Sequence, residues 1–272
     1  MVDRLPAKAS QTQGICLLLF VKSPIPGQVK TRLARSIGLM AATALYQCFT
    51  QDILLITQTL SVDQLIFYAP ATDSKGVEAW LGPQYVYHPQ QGQDLGARMA
   101  HAFTHCFELG YSGVLIIGSD SPDLPAAYLE EGLRALSDQQ VVVGASEDGG
   151  YYTLGFTAEN FTPQVFEGIA WSTSRVYQQT LHELKEQQRS IHALPPWYDV
   201  DTLTDLRQLY QRLRKAGTLS ASLLYLQHHE HQLFGSPPPA SYLLLFQSCM
   251  RQIIFSKPLT ILNRLLRELF MK

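Results

Sequence analysis

The sequence predicts an α/β protein, a mostly parallel sheet flanked by helices, with one main domain over residues 14–216 and a helical extension over 217–272. Three observations predict it. Runs such as GICLLLFV (14–21) are apolar throughout instead of alternating, as strands covered on both faces must be. Such runs alternate with helical patterns from residue 15 to residue 213, the order of a βα-built sheet. Finally, the apolar run 114–117 stops at Gly118 and gives way to Asp120 and Asp123, with Pro122 and Pro125 fixing the turn. In an open α/β sheet, ligands sit in the crevice beyond the carboxyl ends of the strands, so chemistry is expected there.

Composition narrows the class. With 272 residues, 46% hydrophobic and 16% charged, the chain can bury a sizeable core. A net charge of −2 and a pI near 6.4 give no electrostatic footprint for a nucleic acid polymer, so any nucleotide bound is expected to be a small molecule. Cys16, Cys48, Cys106 and Cys249 follow no CxxC spacing, which fits the reduced thiols of a cytoplasmic protein better than a zinc knuckle or a disulfide framework. The run 15–21 lacks a small-residue cleavage site and reads as a strand, not a signal peptide. No run approaches the roughly 18 to 20 apolar residues that span a bilayer, so no transmembrane segment is expected.

In chain order, residues 1–13 read as a loose tail. The first strand leads into KSPIPGQVKTRLARSIG, where two prolines and Gly27 make a loop before a helix over 29–37. Lys22, Lys30 and Arg32 therefore cluster where strand meets helix. Cations there oppose the helix dipole, which favours an anionic ligand such as a pyrophosphate or triphosphate over a merely solvated helix start. A helix over 41–60, a strand over 64–69, a short helix over 76–81 and a strand over 85–88 follow. In HPQQGQDLGARMAHAF, Gly92 and Gly96 punctuate a loop and Asp94 caps a helix over 95–109, with Arg98 and Met99 in its first turns. Gln90, Gln91 and Gln93 can read a base or a hydroxylated substrate, or serve as ordinary loop residues.

Asp120 and Asp123 are close enough on their turn to hold Mg²⁺ or Mn²⁺, hard cations that take oxygen ligands. The competing role is structural, with Asp120 capping the turn and Asp123 or Ser121 capping a helix over 124–137. A buried strand over 140–145 ends in a turn at Asp148, Gly149 and Gly150, followed by a strand over 151–156. Paired glycines allow close approach to a ligand, and equally make a plain hairpin turn. Next comes a loop with Trp171 facing a substrate or the core, then a helix over 174–188 with Ser172 or Thr173 as cap. After a short strand over 191–194, Thr202 and Asp205 approach a capping box for a helix to about residue 215. That leaves Asp199 and Asp201 free, and a late aspartate is what a metal site begun by Asp120 needs.

The tail differs in character. A helical stretch containing HHEH is followed by a Pro-rich break at 236–239 and a basic amphipathic segment with Leu259, Leu262, Leu265, Leu266 and Leu269 at helical spacing. Packing on the domain is its expected use, with a dimer contact or a peripheral membrane contact as alternatives. His228, His229 and His231 lack a carboxylate partner in a defined context and are not expected to bind metal.

Six motifs in order, FVKSPIPGQVKTRLA, QGQDLGARM, GSDSPDLP, EDGGYYTLG, WSTSR and DVDTLTDL, resemble the bacterial glycosyltransferase-A-like family of the nucleotide-diphospho-sugar transferase superfamily. The resemblance covers about residues 14–214; the family is also similar to 2-phospholactate guanylyltransferases. It implies a single GT-A-type, Rossmann-like domain that binds a nucleotide with a divalent metal. Lys22, Gly27, Lys30 and Arg32 match the phosphate-binding loop and Asp120 the metal-binding aspartate, assisted by Asp123. Asp148, Gly149 and Gly150 match the acceptor-side turn and Asp201 the late carboxylate. The chain departs from better understood relatives in its SPIPG loop and in a D-x-x-D spacing where sugar transferases carry DxD.

The functional expectation is a metal-dependent transferase with Asp120, Asp148 and Asp201 as catalytic residues and Asp120, Asp123 and Asp201 as metal ligands. Gln93, Arg98, Gly149, Gly150, Trp171, Ser172 and Thr173 are the expected substrate contacts. Glycosyl transfer from a nucleotide-diphospho-sugar to a small acceptor leads. Nucleotidyl transfer from an NTP to a phosphorylated acceptor is the alternative, and a non-catalytic nucleotide-binding module the second.

Overall fold

The computed structural model describes residues 13–235, so the N-terminal tail, the Pro-rich break and the C-terminal amphipathic segment lie outside the described residues. Seven strands form one sheet: β1 Gln13–Lys22, β2 Asp63–Ala69, β3 Val86–Pro89, β4 Tyr111–Ile117, β5 Val141–Ser146, β6 Tyr151–Thr157 and β7 Ile191–Trp197. Their spatial order is β3-β2-β1-β4-β6-β5-β7. Every pairing is parallel except those of β6, which runs antiparallel to both β4 and β5. The sheet is thus α/β and mostly parallel, and its order reverses between β1 and β4, the switch point at which ligands bind in such folds.

The unbroken apolar runs have a direct cause. Along β1, Leu17, Leu19 and Val21 face one core cluster while Cys16 and Leu18 face another on the opposite side of the sheet. The helices α3 (Ser74–Leu81) and α5 (Ala126–Ser137) cover the first side. On the second lie α4 (Leu95–Glu108) and α6 (Val176–Glu186). Asp94 caps α4 by accepting the Ala97 N–H at 2.8 Å, as its position predicts.

A third cluster joins α1 (Thr31–Ile37), α2 (Leu39–Thr57), α7 (Leu203–Ala216), α8 (Ala221–His228) and α9 (Glu230–Phe234) through Leu33, Phe49, Leu206, Leu226 and Leu233. The first part of the helical extension, from Ala221 to Phe234, packs on the domain in this cluster. Thr202 and Asp205 complete the capping box at the start of α7. Among the described residues one helix, α2, is long and apolar enough, by length and composition, to cross a membrane, although Thr, Gln and Asp interrupt its apolar run. Its apolar window is 61% buried against the core, which accounts for its composition.

Candidate functional site

The carboxyl ends of β1, β4, β5 and β7 and the start of the antiparallel β6 meet at one edge of the sheet. The loop after β1 turns through Gly27, in the left-handed region at φ 84°, and delivers Lys30 to the start of α1. Lys30 is itself left-handed, at φ 46° and ψ 43°, a conformation costing a non-glycine residue about 1 kcal/mol or more. Its side chain is only 2% exposed, and its ammonium stands 2.5 Å from Asp120 Oδ1 and 3.1 Å from Asp201 Oδ1. The other Asp201 oxygen accepts from the Arg32 guanidinium. Burial alone would lower the Lys30 pKa; Asp120 and Asp201 outweigh it and hold the ammonium firmly protonated. Burial likewise works against ionisation of Asp201, and Lys30 and Arg32 reverse that, keeping its carboxyl below the usual range.

Asp199 organises the same edge from beneath. It is half-buried and accepts hydroxyl hydrogen bonds from Ser121 at 2.8 Å and Ser146 at 2.5 Å, tying the loop after β7 to the ends of β4 and β5. Burial, followed by the nearby Asp120 charge, pushes its pKa up to about 6. The Val200 N–H donates to the Asp120 carbonyl at 3.0 Å, a backbone tie between the two aspartate loops. From α2, the buried Tyr46 hydroxyl accepts the Lys22 N–H at 2.7 Å and the Ser119 hydroxyl at 3.3 Å.

Asp120 and Asp201 thus converge with Lys30 and Arg32, while the Lys22 side chain is exposed at the end of β1. Asp148 is on the rim: it closes its turn by accepting the Gly150 N–H at 3.0 Å, and its charge reaches Arg32. The DGG turn is a hairpin between antiparallel β5 and β6. Gly149 is also required there, because a Cβ would stand 2.2 Å from the Ser174 carbonyl oxygen. That contact brings the 171–174 loop against the turn.

Asp123 is a correction. Its carboxylate takes Arg212 Nε at 2.6 Å and Nη2 at 3.2 Å, with Trp197 Nε1 at 3.4 Å. Both oxygens are committed to α7 and β7, which opposes the metal-ligand expectation. Nor does Asp123 or Ser121 cap α5, whose N-cap is Pro125. The expected cap at Ser172 or Thr173 also differs, since the N-cap of α6 is Arg175. Thr173 instead donates to the Ala170 carbonyl at 2.7 Å, and Ser172 is exposed with φ 63°. Trp171 is half-buried and lies over Gly96, where a Cβ would meet its indole at 2.4 Å. Arg98 Nε donates to the Gly92 carbonyl at 3.2 Å, and Gln93 is exposed in the same loop. Gln90 is structural: its amide bonds the carbonyls of Val21 and Phe67 across the ends of β1 and β2.

Sequence reasoning named Asp199 beside Asp201 without giving it a part in tying the loops together, and it left out Ser146 and Tyr46. The DVD spacing was the available signal for Asp199, while Tyr46 looks like any aromatic residue of an apolar helix. A cavity of about 890 Å³ opens at the opposite edge of the sheet, lined by Ile15, Asp63, Arg134, Gln139 and Thr157 among others. None of the converging aspartates faces it.

The donor chemistry suits a hard divalent cation. Among the described residues no group of three His, Cys, Asp or Glu side chains forms a cage for a metal. Mg²⁺, however, is usually held by one or two carboxylates together with substrate phosphates. Asp120 and Asp201 supply such a pair, and the Lys30 ammonium between them marks a point where positive charge is stabilised.

Sheet order, switch point and acidic strand ends together are those of a Rossmann-like α/β domain with its site at the carboxyl edge of the sheet. A family described as an uncharacterized protein conserved in bacteria (DUF2064) matches residues 53–173. A candidate nucleotide-diphospho-sugar transferase from Desulfovibrio desulfuricans G20 is 39% identical, with a TM-score of 0.78 over 80% of this chain and 96% of that one. The chain belongs to that family, within the nucleotide-diphospho-sugar transferase superfamily. Looser similarities are to Rv0371c of Mycobacterium tuberculosis H37Rv in complex with manganese (16% identity, TM-score 0.44, 74% of this chain and all of that one) and to the inositol-1-phosphate CTP transferase of T. maritima (12%, 0.46, 75% and 96%). No curated protein matches the chain.

Proposed function

We propose that this protein is a metal-dependent glycosyltransferase that takes its sugar from a nucleotide-diphospho-sugar. The observation that carries the reading is the pairing of Asp120 and Asp201 around one buried cation at the switch point of the sheet. Asp120 and Asp201 would hold Mg²⁺ or Mn²⁺, which when bound neutralises charge on the departing diphosphate. Arg32, half-exposed beside Asp201, and Lys22 at the end of β1 are available to the same phosphates. Asp199 fixes the two aspartate loops through Ser121 and Ser146, so the acidic edge is set before substrate arrives. Asp148, Gly149 and Gly150 form the acceptor side.

The alternative, nucleotidyl transfer from an NTP, draws on the three cations of the first loop. Lys30 and Arg32 are already balanced by Asp120 and Asp201, so the loop offers less free positive charge than its sequence suggests. That favours a diphosphate donor over a triphosphate. The cytoplasm is the expected setting, and the described cysteines Cys16, Cys48 and Cys106 are free and buried.

The test is a thermal-shift screen of nucleotide sugars and NTPs with Mn²⁺ or Mg²⁺, run on wild type and Asp120→Ala. A ligand at about 100 times its Kd stabilises by about 2.7 kcal/mol. Metal-dependent stabilisation by a nucleotide sugar above its NTP, lost in Asp120→Ala, is expected. Preference for an NTP would turn the reading to nucleotidyl transfer, and no shift with any nucleotide would reject both.

A further inference from the structure

We propose that Lys30 guards the metal position: its ammonium fills the space between Asp120 and Asp201, so a divalent cation settles there only together with a phosphate group that draws the ammonium away. The inference deepens the proposed function and rests on it for the identity of the phosphate.

The geometry makes Lys30 a resident cation. Its ammonium is within 2.5 Å of Asp120 and 3.1 Å of Asp201, and lies 5.6 Å from the ring centre of Phe49. With the side chain 2% exposed, water does not replace a lost carboxylate partner. A divalent ion on the same oxygens would repel the ammonium and strand it against the apolar ring, and a buried charge without a partner is strongly disfavoured. The second Asp201 oxygen is held by Arg32, so the carboxylate has no spare face for an added cation.

A diphosphate changes this balance. Its oxygens give the Lys30 ammonium a new partner, and withdrawal of the lysine opens Asp120 and Asp201 to the metal. Metal and phosphate then assist each other, a coupling that by linkage acts equally in both directions. The free protein stays closed to divalent cations alone, and the complete donor complex is what opens it.

Calorimetric titration of MnCl₂ into the nucleotide-free full chain tests the idea. Lys30→Met should bind Mn²⁺ roughly tenfold or more tightly than wild type, within the usual range of such couplings. Equal or weaker binding overturns the proposal. Should Lys30→Met fail to fold, acetylation of Lys30 in wild type, followed by mass spectrometry, replaces it. The rate should stay unchanged as Mn²⁺ alone is raised and change only when inorganic pyrophosphate is added with it; acceleration by Mn²⁺ alone, or no change with both together, overturns the proposal. Unchanged Mn²⁺ affinity beside intact nucleotide stabilisation removes the guard and leaves the donor reading. The expected Mn²⁺ result beside a failed nucleotide screen supports the competition and removes the donor reading.

Discussion

Ser146, at the end of β5, donates its hydroxyl to Asp199 at 2.5 Å, across 53 residues of chain. Ser121 donates to the other oxygen, so one half-buried carboxylate holds together three strand ends that carry the acidic edge. The charge is kept at a cost, because burial and Asp120 push the Asp199 pKa up to about 6 from 3.8.

A pH dependence follows from that shift. The folded state holds the Asp199 proton more tightly than the unfolded chain does, so this contribution to stability is present below about pH 3.8 and is lost as pH rises through about 6. Against Asp199→Asn, wild type should therefore lose on the order of 2 kcal/mol of relative stability between about pH 4 and about pH 7. Urea unfolding of both proteins across that range measures it. A pH-independent difference would mean that Asp199 titrates alike in both states.

Asp123→Ala separates the two aspartates of the D-x-x-D turn. It leaves Arg212 without its bidentate partner beneath Tyr198 and should cost about 2 kcal/mol of stability. Nucleotide-dependent stabilisation, measured relative to the new melting temperature, should persist. Loss of metal-dependent binding with an unchanged melting temperature would return Asp123 to the metal site.

Arg32→Ala should show the opposite pattern. Its guanidinium is 56% exposed, and exposed ion pairs contribute about 1 kcal/mol or less, so the melting temperature should hardly move. Affinity for the nucleotide donor should fall at least severalfold, as expected when a cation facing phosphate is lost. Unchanged affinity by calorimetry would remove Arg32 from the phosphate site.

Truncation distinguishes the packed helices from the segment beyond them. Ending the chain after Gly235 should leave a folded domain. Ending it after Gly217 removes the Ala221 and Ser222 N–H groups that Asp52 accepts at 2.7 and 2.9 Å, and strips α8 from α2. A buried carboxylate would lose its partners, and the product should be insoluble or melt well below the longer one. A soluble 1–217 chain with the melting temperature of 1–235 would show α8 to be dispensable.

The sequence by itself determined the strands, most helices and several caps, because those depend on neighbours a few residues apart. The double-faced burial of β1 is written in its unbroken apolar run, and the caps at Asp94 and Thr202 in short polar spacings. The convergence of Asp120 and Asp201 was legible because aspartates at strand ends must gather at one edge of a parallel sheet. Only the tertiary structure decided which cation each carboxylate meets. Asp123 and Asp120 look alike in the turn, yet Arg212, 89 residues away, engages the first, and Lys30 engages the second. Lys30 reaches Asp201 across 171 residues, and Asp199 meets Ser121 across 78. Such pairings are set by the order of strands in the sheet and by burial, neither of which local spacing encodes.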